Sequence, residues 1–143
     1  MDVEETLRKV PLFQGFQPKQ IKSLAKWTTT RTYEPGQEIV REGQTGLGLY
    51  CIQSGQVRVT HNTPHGPREI RIMGPGESFG ELSLLDNNPR SATVTAIDRT
   101  TAVLLDKSQF LAEIRTYPEM TLSMLPVLVR WIREADRKIS ELS

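Results

Sequence analysis

The sequence predicts a mainly β domain, an antiparallel sandwich or jelly roll with helices at both ends. Three observations carry this. Between residues 28 and 105, short β-rich segments alternate with Gly and Pro turn signals at close, regular intervals. The flanking stretches show helix-start signals and apolar stripes instead. The chain has 143 residues, the size of one domain around one core, and no linker, repeat or low-complexity tract.

In chain order, Asp2 followed by Glu5 reads as a capping box that opens a short helix over residues 3–9. Pro11-Leu12-Phe13 and Gly15 break it. Pro18 is a favoured first helical position, and a second helix runs from it to about residue 27, with Ile21, Leu24 and Ala25 as its apolar stripe. Strands are expected at 28–33, 38–41, 47–52, 56–61, 68–72, 92–96 and 101–105. Pro35-Gly36, Gly43, Gly46, Gly55, the Pro64 to Pro67 segment and Gly74-Pro75-Gly76 separate them. Val57 and Val59, and Ile70 and Ile72, alternate with polar residues as half-buried strands do.

Asp106 then caps a helix over 107–115, which ends before Pro118. A final helix is expected from 118 to about 142, with Pro126 kinking it or splitting off its first turns. Leu125, Leu128, Ile132, Ala135, Ile139 and Leu142 recur at spacings of 3, 4, 3, 4 and 3. That is a heptad seam, narrower than the stripe of a helix packed only on its own barrel. It predicts a homodimer through residues 125–142.

Composition narrows the class. Lys plus Arg total 18 against 17 for Asp plus Glu, so the chain lacks the basic imbalance of a nucleic-acid binder, and no direct nucleic-acid contact is expected. One cysteine, Cys51, excludes an internal disulfide and fits a reducing compartment. No apolar run approaches the roughly 18 residues of a membrane span. The acidic start Met-Asp-Val-Glu-Glu is unlike a signal peptide, so a cytoplasmic location is expected. His61 and His65 flank a Pro/Gly-rich hairpin without a third ligand, so no metal site is expected. Ser83 and Ser91 have no histidine near in sequence, and no acid/base pair stands out; an enzyme is not expected.

The functional signal lies in residues 79–92, Phe-Gly-Glu-Leu-Ser-Leu-Leu-Asp-Asn-Asn-Pro-Arg-Ser-Ala. Gly80 lets the backbone approach a ligand. Residues 81–85 look like one or two helical turns, whose start exposes unpaired N–H groups to an anion. Asn87-Asn88-Pro89 ends the turn, and Arg90 follows with a planar, permanently charged fork that suits phosphate. Ser91 adds a hydroxyl. Glu81 is the odd member, because a carboxylate repels a nearby phosphate. Accepting a hydrogen bond from a sugar hydroxyl gives it a task, and a 3′,5′-cyclic nucleotide offers one free ribose hydroxyl. Taken singly, each residue is more often a mere turn or surface charge than a functional group. Their order and spacing favour the cradle.

Phe-Gly-Glu-Leu-Ser at 79–83 followed by Pro-Arg-Ser-Ala-Thr at 89–93 closely resembles the phosphate-binding cassette of the cyclic nucleotide-binding domain family. Val10-Pro11-Leu12-Phe13 with Gly15-Phe16, Glu34-Pro35-Gly36-Gln37-Glu38-Ile39, Gly43, Tyr50-Cys51-Ile52 and Ser54-Gly55-Gln56-Val57 extend the resemblance over nearly the whole chain. It implies an eight-stranded antiparallel β-roll (jelly roll) over 28–106, N-terminal helices over 1–27, and C-terminal helices over 107–143 acting as lid and dimer contact.

The resemblance also implies roles. Phe79 and Ala92 bound the cassette. Gly80 and Glu81 match the ribose-contacting pair, Leu82 and Ser83 the positions whose backbone amides face the phosphate, and Arg90 the arginine paired with an equatorial phosphate oxygen. Ser91 matches a position that carries a hydroxyl in both cGMP- and cAMP-binding members. The base is expected near Arg71 and Met73 and the last helix, where the resemblance sets Ala135-Asp136 in place of a base-contacting Thr-Ser pair found in the family's cAMP-binding bacterial activators. Ala135 offers no hydroxyl; Asp136 reads either as an acceptor for the base or as a solvated charge. The expected ligand is cAMP, with cGMP weaker.

Two functions remain open on this reading. One is a sensor that signals to an unknown downstream protein through its last helix. The other is a structural or interaction module that kept the fold and lost the ligand. Intact Glu81 and Arg90 favour the sensor, either alone or as the ligand-binding piece of a longer transcription regulator.

Overall fold

A computed structural model describes residues 2–142. Asp2 caps α1 (Val3–Arg8), its carboxylate accepting from the Glu5 N–H at 2.8 Å. A 3-10 turn follows at Pro11–Phe13, then α2 (Pro18–Ala25), where the Gln20 side chain accepts from the Gln17 N–H at 2.7 Å. The strands are β1 (Thr28–Tyr33), β2 (Glu38–Val40), β3 (Gly48–Ser54), β4 (Val57–Thr63), β5 (Gly66–Met73), β6 (Ser78–Phe79), β7 (Thr93–Ala96) and β8 (Thr100–Asp106). A second 3-10 turn lies at Glu81–Leu84, and α3 (Lys107–Thr116) and α4 (Glu119–Glu141) close the chain.

Two antiparallel four-stranded sheets face each other, ordered β1-β8-β3-β6 and β2-β7-β4-β5. Ile52, Val57, Val59, Met73 and Val94 pack between them, and Tyr33, Tyr50, Ala96 and Ala102 continue that core. The helices form a second core on the outer face of the first sheet, where Leu49, Cys51, Val103 and Leu105 meet Leu7, Phe13, Leu24, Phe110, Met120 and Met124. Central strands β3 and β8 are therefore covered on both faces, which is why 49–52 and 102–105 read as apolar runs rather than alternating ones.

Four sequence expectations need correction. β6 has two residues, too few for any periodic signal, and is the strand missing from the seven expected. Ile70 and Ile72 are 57% and 47% exposed. Alternation reveals a two-residue period but not which phase faces the core. Register settles it: Val57 pairs with Met73 and Val59 with Arg71, so Arg71 and Met73 hold the inner phase.

Pro126 does not divide α4, which is one helix from Glu119 to Glu141. The apolar seam also differs in composition. Leu128 packs against the protein's own core beside Met124, Val127 and Trp131, whereas Leu122, Leu125, Val129, Ile132 and Ile139 are exposed. Residues 132–142 are exposed throughout, with Asp136 in the middle of that open stripe.

Candidate functional site

The site is built at the junction of β6 and the short 3-10 turn. Gly80 sits between them with φ +85°, a conformation that admits glycine and strains other residues. A Cβ there would lie 2.8 Å from the Gly48 carbonyl oxygen. The turn that follows leaves the Glu81 and Leu82 backbone N–H groups without partners among the described residues, while the Ser83 N–H donates to the Gly80 carbonyl at 3.1 Å. Of the two amides the resemblance assigns to phosphate, the Leu82 N–H is open and the Ser83 N–H is already engaged.

Arg90 returns the chain to this turn. Its backbone N–H donates to the Gln44 carbonyl at 2.7 Å, and its carbonyl accepts from the Gly43 N–H at 2.9 Å. The side chain is 8% exposed. Nη2 donates to the Gly48 carbonyl at 2.7 Å and Nη1 to Ser83 Oγ at 3.3 Å. The guanidinium lies 5.7 Å from the Tyr50 ring centroid, and Tyr50 stacks on Phe79 at 5.1 Å. Burial lowers the guanidinium's pKa from its ordinary value, and Tyr50 opposes that shift. A guanidinium still holds its charge at neutral pH. It is a buried cation with no carboxylate partner among the described residues. An anion in the adjoining space would complete it.

That space is a cavity of about 410 Å³. Phe79, Gly80, Glu81, Leu82, Ser83, Arg90, Ser91 and Ala92 all line it, as do Arg71 and Met73 from the inner face of β5. Asp136 does not; it is exposed on α4 beyond the part packed against the body. Residues without a functional signal in the sequence also matter. Val40, Val59 and Val94 form an apolar wall. Gly46 reads from the sequence only as turn punctuation, and Gly48 carries no signal of its own. Yet a Cβ at Gly46 would lie 2.5 Å from Ser83 Oγ and 3.2 Å from Arg90 Nε. The absence of a side chain at Gly46 makes room for the arginine, whereas a Cβ at Gly48 would collide with the Leu105 carbonyl of the neighbouring strand β8. Their close spacing is the one sequence feature that could flag them.

Glu81 faces the cavity from the start of the turn. Its Oε2 accepts from the Leu12 backbone N–H at 3.4 Å, a long bond to one of the free amides of the Pro11–Phe13 turn. Oε1 has no partner among the described residues. Burial raises the Glu81 pKa, and the Leu12 N–H opposes the rise. Nearby Cys51 is buried, and desolvation followed by repulsion from Glu81 pushes its thiol up to about 12. It is a core thiol with no thiolate character. The cavity thus offers a buried cation with open amides, a carboxylate with a free oxygen, and an apolar wall. It suits a compact anion carrying a hydroxyl and a flat apolar group.

Among the described residues, no cluster of His, Cys, Asp and Glu could hold a metal ion, and no helix is long and apolar enough to cross a membrane.

Comparison with known proteins places this geometry in a family. The cyclic nucleotide-binding domain model matches residues 30–117. The cyclic AMP receptor protein of Thermus thermophilus is 37% identical over 134 residues, covering 93% of this chain and 62% of that protein. A CRP-like cAMP-activated global transcriptional regulator of Mycobacterium tuberculosis is 33% identical over 141 residues, covering 98% of this chain and 63% of that protein. The crystal structure of the N-terminal domain of a transcriptional regulator from Streptomyces coelicolor matches with a TM-score of 0.85 at 29% identity, over 94% of each chain. The chain spans somewhat less than two thirds of the length of the first two relatives. With its eight-stranded roll and the match over residues 30–117, this chain belongs to the cyclic nucleotide-binding domain family.

Proposed function

We propose that this cyclic nucleotide-binding domain takes cAMP in preference to cGMP and passes the binding event on through α4. One observation carries the reading: the buried guanidinium of Arg90, without a carboxylate partner, shares a cavity of about 410 Å³ with the half-engaged carboxylate of Glu81. Arg90 and the Leu82 N–H hold the cyclic phosphate, Ser91 supports it, and Glu81 Oε1 accepts from the ribose 2′-hydroxyl. The base lies along Val59, Met73 and Arg71. The apolar wall supports adenine, whose binding leans on packing more than on polar contacts. Two of the relatives, the Thermus cyclic AMP receptor protein and the Mycobacterium cAMP-activated regulator, carry cAMP in their names. The role is that of a binding module: those relatives are named as a receptor protein and a transcriptional regulator.

The exposed stripe Leu122, Leu125, Val129, Ile132 and Ile139 supports self-association through α4. In such a dimer Asp136 would sit on the seam, and a second copy is the route by which it could approach a bound base. The output is a downstream protein. The coverage of 62% and 63% of the first two relatives favours a second form of the reading, in which the chain is the sensor portion of a longer regulator. The test is calorimetric titration with cAMP and cGMP in parallel. Binding of both, tighter for cAMP, is expected. No heat and no thermal shift with either nucleotide would leave the runner-up, a ligand-free interaction module of the same fold.

A further inference from the structure

Lys107 occupies a position that helix physics disfavours. It is the first residue of α3, directly after the Asp106 cap, where the helix dipole and its unpaired N–H groups favour an acid. Its ammonium is turned back across the surface, donating to the Asp86 carbonyl and to Asn87 Oδ1 at 2.9 Å. Its own backbone N–H donates to the Leu47 carbonyl at 2.8 Å. One residue therefore binds both segments that hold Arg90. Segment 43–48 supplies the Gln44 and Gly48 carbonyls and the Gly43 amide that grip Arg90. Segment 85–89 leads directly into it.

Segment 85–89 has little else to keep its shape. Every residue in it is exposed, and the nearest buried anchors are Leu84 and Arg90 themselves. Within it, the Asn88 N–H donates to the Asp86 carboxylate at 3.2 Å, a local turn that sets no position relative to the body. Among the described residues, the Leu85 N–H donates to the Leu82 carbonyl at 3.0 Å at its near end, and a bridge from Thr45 to Pro89 ties its far end. Asp86, Asn88 and Pro89 nevertheless form part of the cavity lining.

We propose that Lys107 is a positioning residue of the nucleotide site, fixing the 85–89 wall of the cavity against α3 so that Arg90 meets the phosphate without reordering. The inference rests on the cyclic nucleotide reading above and names a residue outside the cassette that tunes it. A wall already in place spares the ligand the entropy of ordering it. Two charge-assisted hydrogen bonds at an exposed site set the scale, about tenfold in Kd.

The experiment compares wild type with Lys107→Met and Lys107→Arg. It uses cAMP titration, melting temperature, and amide exchange at Asn87 and Asn88 in the free protein. Lys107→Met is expected to weaken binding about tenfold, to leave the melting temperature near wild type and to speed exchange at Asn87 and Asn88. Lys107→Arg, which keeps charge and reach, restores affinity. The loss persists at about 0.5 M salt, where a long-range charge effect would be screened. Affinity within twofold of wild type in the Met variant, no rescue by Arg, or a loss that vanishes in salt each overturns the proposal. If wild type binds no nucleotide, the cyclic nucleotide reading fails by itself. The exchange data then still decide whether Lys107 holds the loop, and unchanged exchange refutes the tether.

Discussion

Gly80→Ala is the sharpest probe of how Arg90 is seated. Two costs can be read from the geometry. At φ +85° an alanine carries the left-handed penalty, about 1–2 kcal/mol. Its Cβ would also collide with Arg90 Nη1 and sit 2.8 Å from the Gly48 carbonyl oxygen. Neither neighbour yields easily, since Arg90 is buried and Gly48 lies in β3, so overpacking adds about 1–3 kcal/mol. Gly36 is the internal control. It has φ +86° and nothing within 4 Å of an added Cβ, so Gly36→Ala bears the backbone cost alone. Urea unfolding separates the two. With a slope of about 2 kcal/mol per molar, an extra ~2 kcal/mol moves the midpoint of Gly80→Ala about 1 M below that of Gly36→Ala. Nucleotide affinity should also fall at least tenfold in Gly80→Ala, because the displaced guanidinium loses the Gly48 carbonyl and turns from the cavity. Gly36→Ala should bind as wild type does. Equal midpoints, or intact binding in Gly80→Ala, would refute this seating of Arg90.

Other expectations follow from Glu81 and α4. Glu81→Ala should reduce the preference for cAMP over its 2′-deoxy analogue; an unchanged preference means that Glu81 does not read the ribose. Burial raises the Glu81 pKa in the folded state, so the fold holds that proton more tightly than the unfolded chain does. Its contribution is complete below the ordinary carboxylate range, near about 4.3, and declines as pH climbs through the folded value. Glu81→Gln cannot ionise, so its melting temperature should gain on wild type as pH rises from about 4 to about 7. A constant gap across that range contradicts the buried charge. Ile132→Asp places a charge in the centre of the exposed α4 stripe and should convert a dimer to monomer in sedimentation. A wild-type monomer at high concentration would refute self-association through this helix.

The cassette is legible in the sequence because its chemistry is local. Glycine, carboxylate, turn and arginine fall within residues 79–92, and the cavity gathers Phe79 to Ser83 and Arg90 to Ala92 on one side. Arg71 and Met73 do line the cavity, although the apolar alternation in the sequence suggests Ile70 and Ile72 as the inward pair and both are exposed. What the sequence conceals depends on contacts between distant segments. Arg90 and Gly48 are 42 residues apart, and Lys107 reaches Asp86 across 21. Neither partner carries a mark of the other in its neighbourhood. The α4 seam shows a subtler limit. Val129 and Leu128 are adjacent apolar residues, and a run this short admits either in a heptad. Packing of Leu128 on the helical core beside Met124 and Trp131 decides between them. Asp136 follows from alignment with a relative's base-contacting pair, and a single chain leaves it in solvent.

The central claim is that Arg90 is held ready for a cyclic phosphate. Calorimetric titration of cAMP into wild type and Arg90→Ala, with the melting temperatures of both, tests it most directly. Removing the cavity's buried cation should cost about 2–5 kcal/mol of binding, roughly a 30-fold to several-thousandfold loss of affinity, in a variant that still unfolds cooperatively. An Arg90→Ala variant that stays folded and binds cAMP within twofold of wild type would contradict it.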